Sequence, residues 1–405
     1  MKKPELLAPA GDRTMLITAI NAGADAVYFG IDNLNMRVKA ANFKFDEISE
    51  VTSYCKEHNV KCYLTINIII YEEEIELVEA VIAEAKKAGV DAIICWDMSV
   101  IQLCKKYDMP ICISTQASIS NSLAAKYYEN LGAYKIVLAR ECTLNQIKEI
   151  RSKTDLRIEA FVHGAMCIAV SGRCFMSHHM FGKSANRGEC VQPCRREFQV
   201  MDESTDKDLI IGEDYVLSPN DLCTIEFIDQ LIEAGIDSFK IEGRKRSPEY
   251  VLMVTKTYRK AIDLYFEGKL KDEVKKELLE ELKKVYNRGF SSGFYFGAPS
   301  SEAYANIYGS KAVERKAFIG KIVNYYKEPK VAYINLETGN IKNNEEVYII
   351  GPTTGTIKIP IENIINNDVQ VESAGKGDKI TIPCKILVRP GDSVYRINYL
   401  EEFAK

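Results

Sequence analysis

Along residues 1–265, short apolar runs alternate with longer segments that place apolar residues at helical spacing. The runs are Glu5–Ala10, Ala26–Gly30, Lys61–Ile70, Ala92–Trp96, Ile111–Gln116, Lys135–Ala139, Arg157–His163 and Ser238–Glu242. Between most of them lie amphipathic stretches such as Glu72–Ala88. Compact apolar runs separated by helical patterns predict parallel β-α units. Eight such strands predict a closed (β/α)8 TIM-like barrel. The phrases AGADAV (Ala22–Val27) and AGVDAI (Ala88–Ile93) recur where a helix hands over to a strand, and there Gly can supply the left-handed cap. An open doubly wound sheet ranks lower, because no Gly-rich dinucleotide fingerprint follows a strand.

One connection breaks the rhythm. Gly164 to Asp237 separates the seventh and eighth runs, far more than a βα loop needs. Long loops in compact domains are usually functional, and barrel chemistry sits on the loops after the strand C-termini. After residue 265 the pattern changes again. Lys271–Tyr286 reads as a charged surface helix, and Tyr286–Gly297 as a Gly- and aromatic-rich loop packed on the barrel. From Lys316 onward short β-prone runs alternate with turn residues, which predicts a small C-terminal β-barrel domain over 316–400, after a barrel domain over 1–300.

Composition narrows the chemistry. The chain has 405 residues, a formal net charge of −4 and 46% hydrophobic residues. It is no global polyanion binder, although a local basic patch would suffice for one. No apolar run suits a signal peptide or a membrane span, so a soluble cytoplasmic protein with no membrane partner is expected. Twelve cysteines in such a compartment point to metal or redox chemistry wherever they cluster. Cys55, Cys62, Cys95, Cys104, Cys112, Cys142 and Cys384 lie in apolar patterns and read as packing residues. Five others fall in the long connection, together with His178 and His179, and His163 stands at its edge.

Cys167, Cys174, Cys190 and Cys194 form a plausible set of four thiolate ligands, able to hold zinc or an iron–sulfur cluster. The spacing between Cys167 and Cys174 is too wide for a zinc knuckle, which favours the cluster. Cys223 is an alternative to Cys194 as fourth ligand. Arg37, Asn67, Gln116, Arg140, Glu141, Glu242 and Arg244 fall at or just after expected strand ends, where a barrel carries its active site. Their convergence suggests a ligand pocket, with the arginines suited to carboxylate or phosphate; barrel-rim salt bridges are the plainer alternative. His163 and Glu242 are the candidate catalytic groups, His163 because it ends the seventh run, where a side chain would face the barrel mouth.

The segment Glu159–Ser177 carries Glu159, Phe161, Gly164, Ala165, Cys167, Gly172, Cys174 and Ser177 at fixed spacing. It resembles the signature of the U32 peptidase family. Further likenesses are LLAPAG (Leu6–Gly11), GADAVYFG (Gly23–Gly30), STQAS (Ser114–Ser118), KIEGRKRSPEYV (Lys240–Val251) and YNRGF (Tyr286–Phe290). Length and the β-rich C-terminal region resemble the family's two-domain branch that acts on tRNA. The resemblance implies a [4Fe–4S] cluster, tRNA as partner, and oxygen-independent hydroxylation of a wobble uridine, with prephenate as a small anionic co-substrate. The family name implies a peptidase instead, yet the chain shows neither a zinc-protease helix nor a nucleophile elbow. A third class is a non-catalytic RNA-binding or cluster-carrying protein, with the C-terminal β domain on the RNA.

Overall fold

A computed structural model describes residues 2–38, 40–198, 217–307 and 309–399. Residues 199–216 of the long connection lie outside the described residues. The eight apolar runs each form a strand: β1 (Glu5–Pro9), β2 (Ala26–Gly30), β3 (Lys61–Thr65), β4 (Ala92–Cys95), β5 (Ile111–Ile113), β6 (Ala133–Val137), β7 (Arg157–Gly164) and, after a short β8 (Asp221–Cys223), β9 (Ser238–Ile241). β1 to β7 pair in sequence order, all parallel, and β9 closes the ring by pairing with both β7 and β1. β8 is the element the sequence pattern missed. It runs antiparallel to the end of β7, outside the ring, and carries the short β10 (Phe290–Ser291) on its other side.

Helices pack around the ring: α1 (Arg13–Asn21), α2 (Ile48–Glu57), α3 (Ile75–Ala88), α4 (Met98–Lys106), α5 (Ser122–Asn130) and α6 (Leu144–Arg151). Within the long connection lies α7 (Met176–Phe181), followed after β8 by α8 (Ile228–Glu233), α9 (Pro248–Phe266) and α10 (Asp272–Lys283). α3 shows why the boundaries fall where they do. Val78, Val81, Ile82 and Ala85 make one buried stripe, and Gly89 ends the helix at φ +80°, a left-handed geometry that glycine adopts without strain. None of the described helices is long and apolar enough to cross a membrane.

The strands face two environments. Outward residues such as Leu6, Val27, Leu64, Ile93, Ile136 and Phe239 join the helices in one continuous core. Inward residues form a small apolar layer, with Leu7, Tyr28, Tyr63, Ile94 and Cys112 among them. Below that layer the interior is charged. Lys135 Nζ lies 2.9 Å from Glu5 Oε1 and 2.6 Å from Glu159 Oε2. Lys240 Nζ lies 2.9 Å from Glu159 Oε1, and Ser238 Oγ donates to Glu5 and Glu159. Tyr63 OH donates to Glu5 at 2.8 Å. Two ammonium and two carboxylate groups thus satisfy one another in the barrel floor, which is what buried charges require.

The C-terminal strands are β11 (Glu314–Tyr326), β12 (Val331–Leu336), β13 (Asn340–Lys342), β14 (Glu346–Gly351), β15 (Gly355–Pro360), β16 (Ile364–Asn366), β17 (Val369–Val371), β18 (Ser373–Gly375), β19 (Lys379–Pro383) and β20 (Ser393–Tyr399). Eight of them form an antiparallel sheet ordered β15-β14-β20-β11-β12-β19-β16-β17, and β13 pairs with β18. Among the described residues the end strands β15 and β17 do not pair, so hydrogen bonding does not close the expected β-barrel. The sheet wraps its own core of Ile319, Ile334, Val347, Ile349, Ile380 and Val394. It meets the barrel at α1, where Thr18 Oγ1 donates to Thr356 Oγ1 at 3.1 Å, and at α9, where Lys316 Nζ lies 2.7 Å from Glu249.

Candidate functional site

At the C-terminal end of the ring the long connection folds back over the mouth. Its placement is fixed by close packing. At Gly188, a side-chain carbon would stand 2.2 Å from the Asn35 carbonyl oxygen and the backbone φ is +84°, so only glycine lets this loop touch the one after β2. Arg187 pairs with Glu74 at the head of α3 and stacks 4.7 Å over Tyr71. Glu141 accepts from Ser171 N at 2.8 Å and Ser171 Oγ at 3.2 Å. Ser171 holds φ +45°, and Glu141 steadies that strained turn rather than facing the cavity.

Beneath the connection is a cavity of about 150 Å³. Arg37, Asn67, Gln116, Arg140, Glu242 and Arg244 all line it, as do Cys167, Cys174, Cys190 and Cys194. Sequence reasoning did not assign Tyr28, Thr65, Phe161, Arg195, Lys240 and Lys245 to the site, and they line it too. The signal for Lys240 was present: Lys240, Glu242 and Arg244 stand at alternate positions, so the inward parity of β9 runs on past its end.

Electrostatics in the cavity are lopsided. Arg37, Arg140, Arg195, Lys240, Arg244 and Lys245 face one carboxylate, Glu242. Arg37 Nη2 and Nε lie 2.9 and 3.3 Å from Glu242 Oε1. Burial alone would raise the Glu242 carboxyl, but Arg37, Arg246 and Arg140 outweigh it and hold it down at about 2. Arg140 donates to the Ala165 carbonyl at 2.7 Å, and its guanidinium stacks 3.9 Å from the Phe161 ring centroid. Burial lowers Arg244 to about 10, and its Nη1 donates to Thr65 Oγ1 at 3.2 Å. Burial also lowers the Lys240 ammonium, against the pull of Glu159. The cavity thus combines guanidinium groups, which can bind carboxylate or phosphate, with the ring faces of Phe161 and Tyr28.

The four thiols sit on the side of the cavity that the connection provides. Met176 N donates to Cys174 Sγ at 3.3 Å and Gln192 N to Cys190 Sγ at 3.4 Å, while Ser177 Oγ lies 3.7 Å from Cys190 Sγ. Burial pushes the Cys194 thiol up against the pull of Arg195, and Cys167, Cys190 and Cys174 add to the rise. Among the described residues no group of three His, Cys, Asp or Glu side chains is arranged to hold a single metal ion.

Cys223 is elsewhere. It lies in β8, buried, with Tyr258 OH 3.9 Å from its Sγ, and takes no part in lining the cavity. This corrects its standing as an alternative fourth ligand. His163 is corrected as well. Glu159 and Phe161 point inward, and strict alternation would send His163 after them. The β7–β9 register slips between Phe161 and His163, so His163 turns out toward the helices. It is 2% exposed and packs among Tyr250, Tyr258 and Phe290. His178 and His179 lie exposed on α7, and the cavity lining contains no histidine among the described residues.

Burial, with help from Arg246, lowers the His163 imidazole to about 3 from 6.5. Below pH 6.5 the unfolded chain takes up a proton there that the folded chain refuses until about pH 3, so stability falls across that window as pH drops. His163→Phe is expected to flatten this part of the profile of melting temperature against pH and to leave ligand binding in the cavity unchanged. A variant that melted normally but lost ligand binding would return His163 to the site.

Comparison with known proteins adds three relatives and a family. Residues 11–305 match the model of peptidase family U32. Over 400 residues the chain is 43% identical to an uncharacterised protease of Methanocaldococcus jannaschii, covering 96% of this chain and 97% of that one. It is 41% identical over 410 residues to a collagenase of Porphyromonas gingivalis, covering 98% and 99%. It is 38% identical over 375 residues to tRNA hydroxylation protein P1 of Bacillus subtilis, covering 91% and 88%.

Proposed function

The chain belongs to peptidase family U32, and from that membership we propose that it is an RNA-modifying enzyme, an iron–sulfur-dependent hydroxylase of the wobble uridine of tRNA. The observation that carries this reading is the joint opening of four thiols and six cationic side chains on one cavity at the active end of a barrel. A peptidase would need an activated nucleophile. The cavity offers thiols in a set and no histidine beside them, which is a poor start for a Cys–His pair. The relative named for tRNA hydroxylation covers nine-tenths of the chain, so the likeness reaches both halves of the fold.

The donor set fits a [4Fe–4S] cluster. Each ligand of such a cluster binds a different iron, so its cysteines stand further apart than the ligands of a single ion. All four thiols line one cavity, which is the placement such a ligand set needs. Cys167, Cys174, Cys190 and Cys194 would hold it, and the Met176 and Gln192 N–H groups that already point at sulfur would stabilise thiolate charge. When bound, the cluster supplies one-electron transfer. The protein's own residues do the rest. Arg140, Arg244 and Lys240 bind the carboxylates of a small co-substrate, for which prephenate is the candidate. Phe161 and Tyr28 cover its ring. Glu242 keeps Arg37 turned into the cavity, and the connection shields the site from water.

Source cells lacking the protein are expected to lose 5-hydroxyuridine, or its further-modified form, from tRNA, as read by nucleoside mass spectrometry. Arg140→Gln should cut the modification about tenfold to a hundredfold, since a hydrogen bond to a charged group contributes roughly 1.5–3 kcal/mol, while iron content stays at the wild-type level. Unchanged nucleosides, together with gelatin cleavage by cluster-free protein, would hand the chain to the peptidase reading.

A further inference from the structure

We infer that the outer face of the Cys-rich connection is a stacking platform for a single-stranded RNA loop, set so that one base of that loop enters the cavity beneath. This rests on the RNA reading above and adds where and how the RNA is held. The segment from Ser171 to Ser177 is a thin wall. Ser171, Gly172, Cys174, Met176 and Ser177 line the cavity, whereas Arg173 and Phe175, lying between them, are exposed on the outside. Phe175 is 75% exposed and Val170 61%, a poor arrangement for apolar side chains facing water alone.

Cations accompany the rings. The Arg173 guanidinium lies 5.9 Å from the Trp96 ring centroid and donates to Ser118 Oγ at 3.1 Å. Trp96 Nε1 in turn donates to the Asn67 carbonyl at 3.1 Å, and Asn67 lines the cavity. Farther along the connection, Arg196 lies 4.6 Å from the ring centroid of Phe181, itself partly exposed. Of the five Lys or Arg residues between Gly164 and Phe198, Arg187 pairs with Glu74 and Arg195 lines the cavity, which leaves Arg173, Lys183 and Arg196 outside it. Exposed rings interleaved with the Arg173 and Arg196 guanidinium groups match unstacked bases and their phosphates. A duplex hides its base faces and cannot use such a surface.

The test uses the full-length protein purified without oxygen and two fluorescent RNAs: a stem–loop with a uridine in its loop, and the same sequence annealed to its complement. Binding is read by anisotropy. Combining Arg173→Ala with Phe175→Ala should weaken stem–loop binding about tenfold to a hundredfold, leave the weak duplex binding unchanged and preserve iron content. If the pair disturbs the neighbouring Cys174, Phe175→Leu keeps the apolar bulk, removes the ring face, and should still cost about tenfold. Wild-type affinity in both variants would overturn the platform and leave the RNA reading standing. A wild-type protein that ignores both RNAs brings down the RNA reading and the platform with it. Loss of gelatin binding with unchanged RNA binding would assign the face to a polypeptide and overturn the proposal.

Discussion

Anaerobically purified protein is expected to carry roughly four irons and matching sulfide per chain, and Cys167→Ala, Cys174→Ala and Cys190→Ala are each expected to abolish that content. Cys194→Ala should do the same. Cys223→Ala should not, because Cys223 sits in β8 behind Tyr258, on the far side of β7 from the cavity. Burial raises the Cys223 thiol to about 12, so it is a protonated packing group under ordinary conditions. Iron and sulfide assays with the absorption band near ~400 nm read the result. Full iron in all four lining variants would overturn the assignment of these cysteines as ligands, and iron lost in Cys223→Ala but kept in Cys194→Ala would show that the connection rearranges on loading. Stoichiometric zinc in place of iron would point to a structural site.

The second large effect is on stability. Among the described residues Glu159 is the acceptor shared by Lys135 and Lys240, at 2.6 and 2.9 Å. Glu159→Ala leaves Lys135 with Glu5 and takes from Lys240 the carboxylate it pairs with, and breaking a buried pair in this way costs about 3–5 kcal/mol. Denaturant unfolding followed through Trp96, the single tryptophan, reports on the barrel half of the chain. Burial alone would raise the Glu159 carboxyl, but Lys135 and Lys240 hold it at about 2 against an ordinary 4.5. Its contribution is therefore complete above pH 4.5 and is lost as pH falls toward about 2, and the slope in that window should flatten in the variant. An unchanged midpoint would mean that water reaches the barrel floor. Glu159 opens the signature segment, and on this account it anchors the fold without touching the substrate.

How much of this was legible in the chain depended on how local the cause was. Parallel barrel strands are buried on both faces, so each reads as a short apolar run, and all eight were placed by that pattern. The barrel-floor charges were not legible. Glu5 and Lys135 look like strand-edge polar residues, because what neutralises them lies on other strands: Lys135 meets Glu5, 130 positions away, and Glu159, on the next strand. Asp221–Cys223 is too short to announce a strand, and its antiparallel direction follows only from where the connection returns. The site residues at strand ends were found because polar groups in those positions need a reason. His163 was misplaced because a one-residue register slip in β7 reverses parity, and nothing in Phe161–His163 signals it.

The ring closes between the first strand and the last. β1 meets β9 through Glu5↔Ser238, and the Glu5 carboxylate receives its bonds from Lys135 and Ser238. During synthesis β1 therefore leaves the ribosome more than two hundred residues before its second neighbour exists. Until then the growing sheet has two bare edges, β1 and β7, and a carboxylate waiting in what will become its interior. Closure depends on contacts of very long sequence separation, which fold slowly and expose strand edges while they wait. The connection over the mouth lies between β7 and β9, so its cysteines emerge while that seam is still open. The ring is completed only after all four cavity thiols have been synthesised, so those thiols are exposed to solvent and its solutes before the barrel shuts.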